Sequence, residues 1–367
     1  MSYITAIGVA NPRYKFNQLT IAEFMVQAMQ LDENDARKLK VLYRATGIET
    51  RYSVLEDYGK PENFDFYPNT KNLEPFPSTR KRLELFRPHA IALSKEAIES
   101  CLSKIPNFRV EDITHLVVVS CTGMYAPGLD IDIIKALKLN SAIERTCINF
   151  MGCYAAFNAL KLADSFCTSR PDAKVLVVCT ELCSIHFQKE NNEENWLANS
   201  LFADGSAALL IERNPRKGLN IKPEGFYCDL AINGEQDMAW GVGDTGFEMK
   251  LSSYIPEIIR NGIKTLTQSL LDKVSRKLKD ISYFAIHPGG KRILEVIETE
   301  LGMSKEQNQF AYDVLKKFGN MSSPTVLFVL NEICESLNAA DNGKEILSFA
   351  FGPGLTLESM ILKIENH

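Results

Sequence analysis

Three side chains in the 367-residue sequence have the types and settings that nucleophilic catalysis requires. Cys153 follows Gly152 at the point where a strand should turn into a helix. At a helix N-terminus the positive end of the dipole favours thiolate over thiol, the condition for nucleophilic work. His287 follows the strand-like run Ile281 to Ile286 and precedes Pro-Gly-Gly, which exposes it at the sheet edge where α/β proteins bind ligands. Asn320 lies in Phe318-Gly-Asn-Met-Ser-Ser-Pro324, a glycine turn opening a helix, where its amide can donate a hydrogen bond to a developing oxyanion. Taken singly, each has a plain reading: a packed thiol, a hydrogen-bonded core histidine, a turn or cap asparagine.

Strand and helix signals alternate around these residues. Ile113 to Cys121 is an almost continuous apolar run, as expected of a strand covered on both faces. A helix is predicted from about 131 to 139 and a short strand from 145 to 148. The helix after Cys153 runs to about Phe166, with small apolar residues around most of its circumference, so it must be buried. Strands follow at 174–180 and 205–212. In the second half, 281–286 is a strand and 291–301 a helix. The stretch 324–337 is a helix with Ser322 and Ser323 as cap candidates. Glu345 to Phe351 is a strand that breaks at Gly352-Pro353-Gly354, and 355–364 alternates like a final strand. This order reads as two tandem α/β halves, 1–213 and 214–367. Residues 52–87, polar and punctuated by prolines, read as a surface excursion, with a lid as the alternative.

Composition closes off other classes. The chain is 45% hydrophobic and 24% charged, too apolar for disorder, and its net charge of −5 gives no support to nucleic-acid wrapping. Nine cysteines with no CxxC pair speak against a disulfide framework or a zinc ribbon. The N-terminus has no signal-peptide pattern, and the apolar runs are too short for a membrane span, so a cytoplasmic protein is expected. No metal-ligand cluster is evident. Gly241-Val-Gly-Asp-Thr-Gly246 fits G-x-G-x-x-G but follows no β-rich strand, which argues against a dinucleotide loop.

The ordered set of motifs resembles the type III polyketide synthases, the chalcone-synthase-like branch of the thiolase superfamily. The motifs are Ser120-Cys-Thr-Gly-Met-Tyr-Ala-Pro-Gly-Leu-Asp130, Gly152-Cys153, Leu201-Phe-Ala-Asp-Gly-Ser-Ala-Ala208, His287-Pro-Gly-Gly, Gly319-Asn-Met-Ser-Ser and Phe351-Gly-Pro-Gly-Leu-Thr356. The resemblance implies a thiolase-like αβαβα five-layered fold and a homodimer. Cys153 would accept a starter acyl group from a coenzyme A thioester, with His287 as the imidazolium that holds it as thiolate. His287 and Asn320 would then stabilise the enolate formed when malonyl-CoA loses carbon dioxide. Beyond the coenzyme A of acyl-CoA and malonyl-CoA, the resemblance implies no cofactor.

By the same matching, Phe202 is the gatekeeper aromatic. Cys121, Cys183, His186, Trp240, Met249, Gly352, Pro353 and Gly354 line the substrate pocket. Plant members often carry Thr at the first three of these, a glycine at 240 and Phe at 249. The departures point to a fatty-acyl rather than an aromatic starter. Lys38 matches one basic residue of the coenzyme A entrance, whereas two further basic sites read Val41 and Ala45, for which Arg44 or Lys40 could compensate. The six thiols other than Cys121, Cys153 and Cys183 are expected to be buried.

Two rival readings share these residues. One is an enzyme like ketoacyl-acyl carrier protein synthase III, which makes a single condensation; a carrier protein could also be the starter donor of the favoured reading. The other is a non-catalytic thiolase-fold partner subunit, which an intact Cys153, His287 and Asn320 argue against.

Overall fold

The computed structural model describes residues 2–367 apart from 235, 236 and 253. The first half contributes β1 (Tyr3–Ala10), the ribbon β2 (Tyr14–Asn17) and β3 (Thr50–Ser53), and helices α1 (Gln18–Met29), α2 (Glu33–Ala45) and α3 (Thr79–Ser103). It continues through β4 (His115–Ser120), α4 (Leu129–Leu137), β5 (Glu144–Asn149), α5 (Ala155–Ser169), β6 (Lys174–Leu182), α6 (Glu193–Leu201) and β7 (Asp204–Glu212). The second half comprises β8 (Leu219–Leu230), β9 (Met238–Gly243), β10 (Gly246–Leu251), α7 (Ile255–Lys273) and β11 (Tyr283–Ile286). Helices α8 (Lys291–Leu301), α9 (Gln309–Phe318) and α10 (Thr325–Ser336) then lead to β12 (Glu345–Gly352) and β13 (Thr356–Asn366).

Nine strands run in the order β11-β12-β13-β8-β1-β7-β6-β4-β5. The two halves meet at a single antiparallel pair, Ile4 with Ile221, between β1 and β8. They are therefore two half-sheets joined at one edge. Strand β4 (HLVVVS) is buried throughout, and its residues alternate between two cores. Leu116 and Val118 face the core under α1 and α3, whereas Val117 and Val119 face the core around α5 and α10. The period-2 pleat thus explains why a continuous apolar run was needed here.

Helix α5 packs on β4, β6 and β7 on one side and β13 on the other, and α10 similarly touches both half-sheets. Ala155, Ala156, Ala159 and Ala163 are buried along α5, and such small side chains allow the sheets to close on it from both sides. With α3 and α4 outside the first half-sheet and α7 and α8 outside the second, the layers are helix, sheet, helix, sheet, helix. This is the expected five-layered architecture.

Three expectations need correction. The 52–87 segment is more than a surface excursion: residues 61–63 and 69–72 are exposed, but Phe64, Phe66, Tyr67 and Leu73 are buried in the first core. Buried Asp57 holds the loop by accepting from the backbone N–H groups of Asp65, Phe66 and Tyr67 at 2.8–2.9 Å. Second, Cys147 and Cys228 are exposed and Cys334 is half-buried: Cys147 lies on β5, the last strand of the sheet, and Cys228 at the exposed C-terminal end of β8. Third, Ser322 and Ser323 do not cap α10, whose first position follows Pro324 without a side-chain cap. The glycine-rich stretch 241–246 ends β9, turns through Asp244 and Thr245 and opens β10, with Gly243 paired to Gly246.

Candidate active site

The Cys153 turn is set by its backbone. Strand β5 ends at Asn149, Phe150 and Gly152 take left-handed φ values of 63° and 76°, and one 3-10 turn (Gly152–Tyr154) feeds directly into α5. A Cβ on Gly152 would run into the ring of Pro353, and one on Gly352 would lie 2.6 Å from the Tyr154 ring. Glycine at both positions lets the Gly352-Pro353 loop press against the turn and hold the thiol at the head of α5.

His287 continues from β11, its N–H donating to Phe349 O at 2.8 Å. It is 1% exposed, and neither ring nitrogen has a hydrogen-bond partner within the protein. A buried imidazole with both nitrogens free is costly unless a reactant supplies the partner. Asn320 sits after Gly319 between α9 and α10, clamped by Asn320 N to Leu201 O (2.9 Å) and Ala203 N to Asn320 O (2.8 Å). This bridge also makes Phe202 its immediate neighbour. The Asn320 Oδ1 accepts from Ser322 N at 2.8 Å and lies 3.9 Å from the Cys153 sulfur. Its Nδ2 reaches Gly289 O at 3.3 Å.

All three side chains line one cavity of about 350 Å³. Its remaining walls are mostly apolar, among them Leu197, Leu201, Met238, Leu251, Ile255 and Phe351. Burial pushes the Cys153 thiol up to about 12 and the His287 imidazole down to about 3. Desolvation therefore opposes the expected thiolate–imidazolium pair for each group taken alone. A charged pair would need one proton to pass from sulfur to imidazole, each charge then offsetting the other.

Residues 1–215 match the model of the N-terminal domain of chalcone and stilbene synthases, and residues 229–365 match that of the C-terminal domain. The chain belongs to the chalcone and stilbene synthase family. Among similar proteins, an alpha-pyrone synthesis polyketide synthase-like protein of Mycobacterium tuberculosis, Pks18, is 33% identical, covering 99% of this chain and 91% of its own. A putative chalcone synthase of Bacillus subtilis is 30% identical over the full length of both. The crystal structure of PKS-I from the brown alga Ectocarpus siliculosus superposes with a TM-score of 0.91 at 30% identity, covering 99% of this chain and 98% of that one. The type III polyketide synthase domain of Steely1 from Dictyostelium gives 0.90 at 32% identity, with 99% of both chains covered.

In this family member, Phe202, Cys121, Cys183, Trp240, Met249 and Pro353 line the cavity with the three central residues. Trp240 is fixed by its Nε1 donating to Cys121 O at 2.7 Å, and Met249 stands opposite it on β10. Gly352 and Gly354 do not line the cavity; Gly352 instead backs Tyr154.

His186 lies one layer behind. Its Nε2 donates to Thr122 O at 2.7 Å, its Nδ1 accepts from Phe247 N at 3.0 Å, and it stacks on Phe247 at 4.2 Å. It borders a second cavity of about 40 Å³, separated from the first by Cys183, Phe202, Trp240 and Met249. Lys38 is also displaced from expectation, being exposed, paired with Asp35 at 3.0 Å and outside the cavity. Helix α2 contributes Leu42 and Ala45 to the lining, with Thr46 after them.

Two important residues were missed. Ser322 (φ 60°) lines the cavity, with its Oγ 3.3 Å from the Cys121 sulfur. Glu181, wholly buried at the end of β6, accepts from Cys121 N (2.9 Å), Thr122 N (3.1 Å), Thr122 Oγ1 (2.7 Å) and Ser323 Oγ (2.6 Å). Burial raises its pKa against the pull of those donors. It ties the end of β4 to the Asn320–Ser323 loop, so it positions two walls of the site. A carboxylate interrupting Val-Leu-Val-Val-Cys-Thr was the available signal.

Proposed function

We propose that the chain is a type III polyketide synthase working on coenzyme A thioesters. The observation that carries this reading is the convergence of Cys153, His287 and Asn320 from three separate elements into one apolar cavity. His287 takes the Cys153 proton, and the thiolate attacks the starter's thioester carbonyl. Coenzyme A leaves with that proton, and the acyl group stays on sulfur.

Malonyl-CoA then binds with its thioester oxygen facing the Asn320 Nδ2 and the His287 imidazole. Breaking the bond to the carboxylate releases carbon dioxide and leaves its electron pair as an enolate, stabilised by these two donors. The enolate carbon attacks the Cys153 thioester, the cysteine leaves as thiolate, and a chain two carbons longer remains on coenzyme A. Apolar walls suit an acyl starter of the fatty type. Repeating the cycle would give a poly-β-ketone that closes to a pyrone or resorcinol. The reading requires no resident cofactor and includes a homodimer, as the family resemblance implies. The test is product formation from malonyl-CoA with a panel of acyl-CoA starters, compared between the native chain and Cys153→Ala.

A further inference from the structure

Among the described residues two charged side chains line the cavity, and they are adjacent: Lys291 and Arg292, in the first turn of α8. Both are exposed, so they stand at the solvent end, beside exposed Ala45 at the end of α2. The turn after α2 lies against the Lys291 stem, since a Cβ on Gly47 would lie 3.4 Å from the Lys291 Cδ. Lys291 has one loose ion pair, with Glu295 at 3.6 Å. Among the described residues Arg292 has no ion pair or hydrogen bond through its side chain. The helix end behind them has no side-chain cap and no acidic residue in its first turn. One loosely paired and one unpaired cation, on a chain of net charge −5, therefore coincide with the positive end of a helix dipole at the mouth of a cavity whose other described lining residues carry no carboxylate or further ammonium or guanidinium group.

We propose that Lys291 and Arg292 anchor a phosphate of the substrate's pantetheine arm, taking in this chain the role that Lys38 was expected to fill on α2. The inference rests on the thioester reading above. An arginine fork binds phosphate through paired N–H groups, lysine adds a point charge, and free backbone N–H groups of the first helical turn add further donors. From that anchor the arm would run inward past Gly289 and Gly290, which also line the cavity, to His287 and Cys153. The same phosphate chemistry is offered by coenzyme A and by a carrier protein's phosphopantetheine.

The test follows loading of Cys153 by intact-protein mass, without malonyl-CoA, from three donors: an acyl-CoA, the S-acyl pantetheine lacking phosphate, and an acyl-carrier protein. The readout is the loading efficiency from each phosphate-bearing donor divided by that from acyl pantetheine. For the Lys291→Ala/Arg292→Ala chain we expect the ratio to fall about tenfold or more for at least one phosphate-bearing donor, which also identifies the source. Arg292→Lys should keep most of the ratio and Lys38→Ala all of it. An unchanged ratio for both phosphate-bearing donors, or an equal loss with acyl pantetheine, would overturn the inference. If no donor acylates the native chain, the acyl-transfer reading falls first and takes this one with it.

Discussion

The amide of Asn320 links the Cys153 turn to the loop after β11, its Oδ1 3.9 Å from the Cys153 sulfur and its Nδ2 3.3 Å from the carbonyl of Gly289, two residues after His287. One N–H of that amide is left for a substrate oxygen. Asn320→Ala should therefore lower malonyl-CoA decarboxylation by about 10²–10³-fold, the cost of removing one oxyanion donor. It also strands the Ser322 N–H, destabilising the fold by about 1–3 kcal/mol. Release of carbon dioxide is the measurement, with starter loading on Cys153 as the control that should persist. Unchanged decarboxylation would remove Asn320 from the mechanism.

The proposed proton transfer makes the state of Cys153 depend on His287. Burial alone pushes the thiol up to about 12, and an imidazole that can accept its proton works against that shift. His287→Ala should move the pH profile of iodoacetamide alkylation at Cys153 toward the alkaline side. A profile identical to that of the native chain would mean that the two side chains do not exchange a proton.

A third expectation concerns stability at acid pH. His186 and His287 are both pushed down to about 3 by burial, against 6.5 for a free imidazole. Their folded pKa values lie below the unfolded ones, so the unfolded chain binds more protons between about pH 3 and 6.5. Stability is thus full above 6.5 and falls as pH drops, by about 1.4 kcal/mol per pH unit per histidine. Asp204, raised to about 6 by burial, acts in the opposite direction between about pH 4 and 6. Glu181 and Glu358, also raised by burial, act like Asp204, whereas His89 and His115, lowered by burial, and Asp341, lowered to about 2 by its hydrogen bond from Lys344, act with the two histidines, so the melting temperature should fall from pH 7 to pH 4. His186→Gln should flatten that slope. An equal slope in both chains would contradict the burial argument.

Trp240 separates the two cavities and spends its N–H on Cys121 O. Trp240→Gly should join them and shift the products toward longer starters or further extensions, read as a change in product masses. An unchanged product set would show that another wall limits the chain.

Much of this site was legible because its chemistry sits at junctions that glycine marks. Gly152 before Cys153, Gly289 and Gly290 after His287, and Gly319 before Asn320 each announce a strand or helix end. The continuous apolar runs of β4, β6 and β7 likewise announced sheets covered on both faces. Side-chain direction was harder to read. Lys38 and Ala45 share a helix, yet only Ala45 reaches the cavity, and sequence matching cannot tell one face of α2 from another. His186 failed as a lining residue because backbone groups satisfy both of its nitrogens, a tertiary fact with no local signature. The 52–87 segment misled through its polar composition, since the few aromatics among its prolines are what pack against Phe24 and Phe187.

The central claim is that Cys153 carries the growing acyl group. The most direct measurement is to incubate the chain with malonyl-CoA and acyl-CoA starters, aromatic to long-chain, and weigh both protein and products. The account expects an acyl mass on the peptide bearing Cys153 and products longer by two-carbon units, both lost in Cys153→Ala. Malonyl-dependent products formed at the native rate by Cys153→Ala would contradict it.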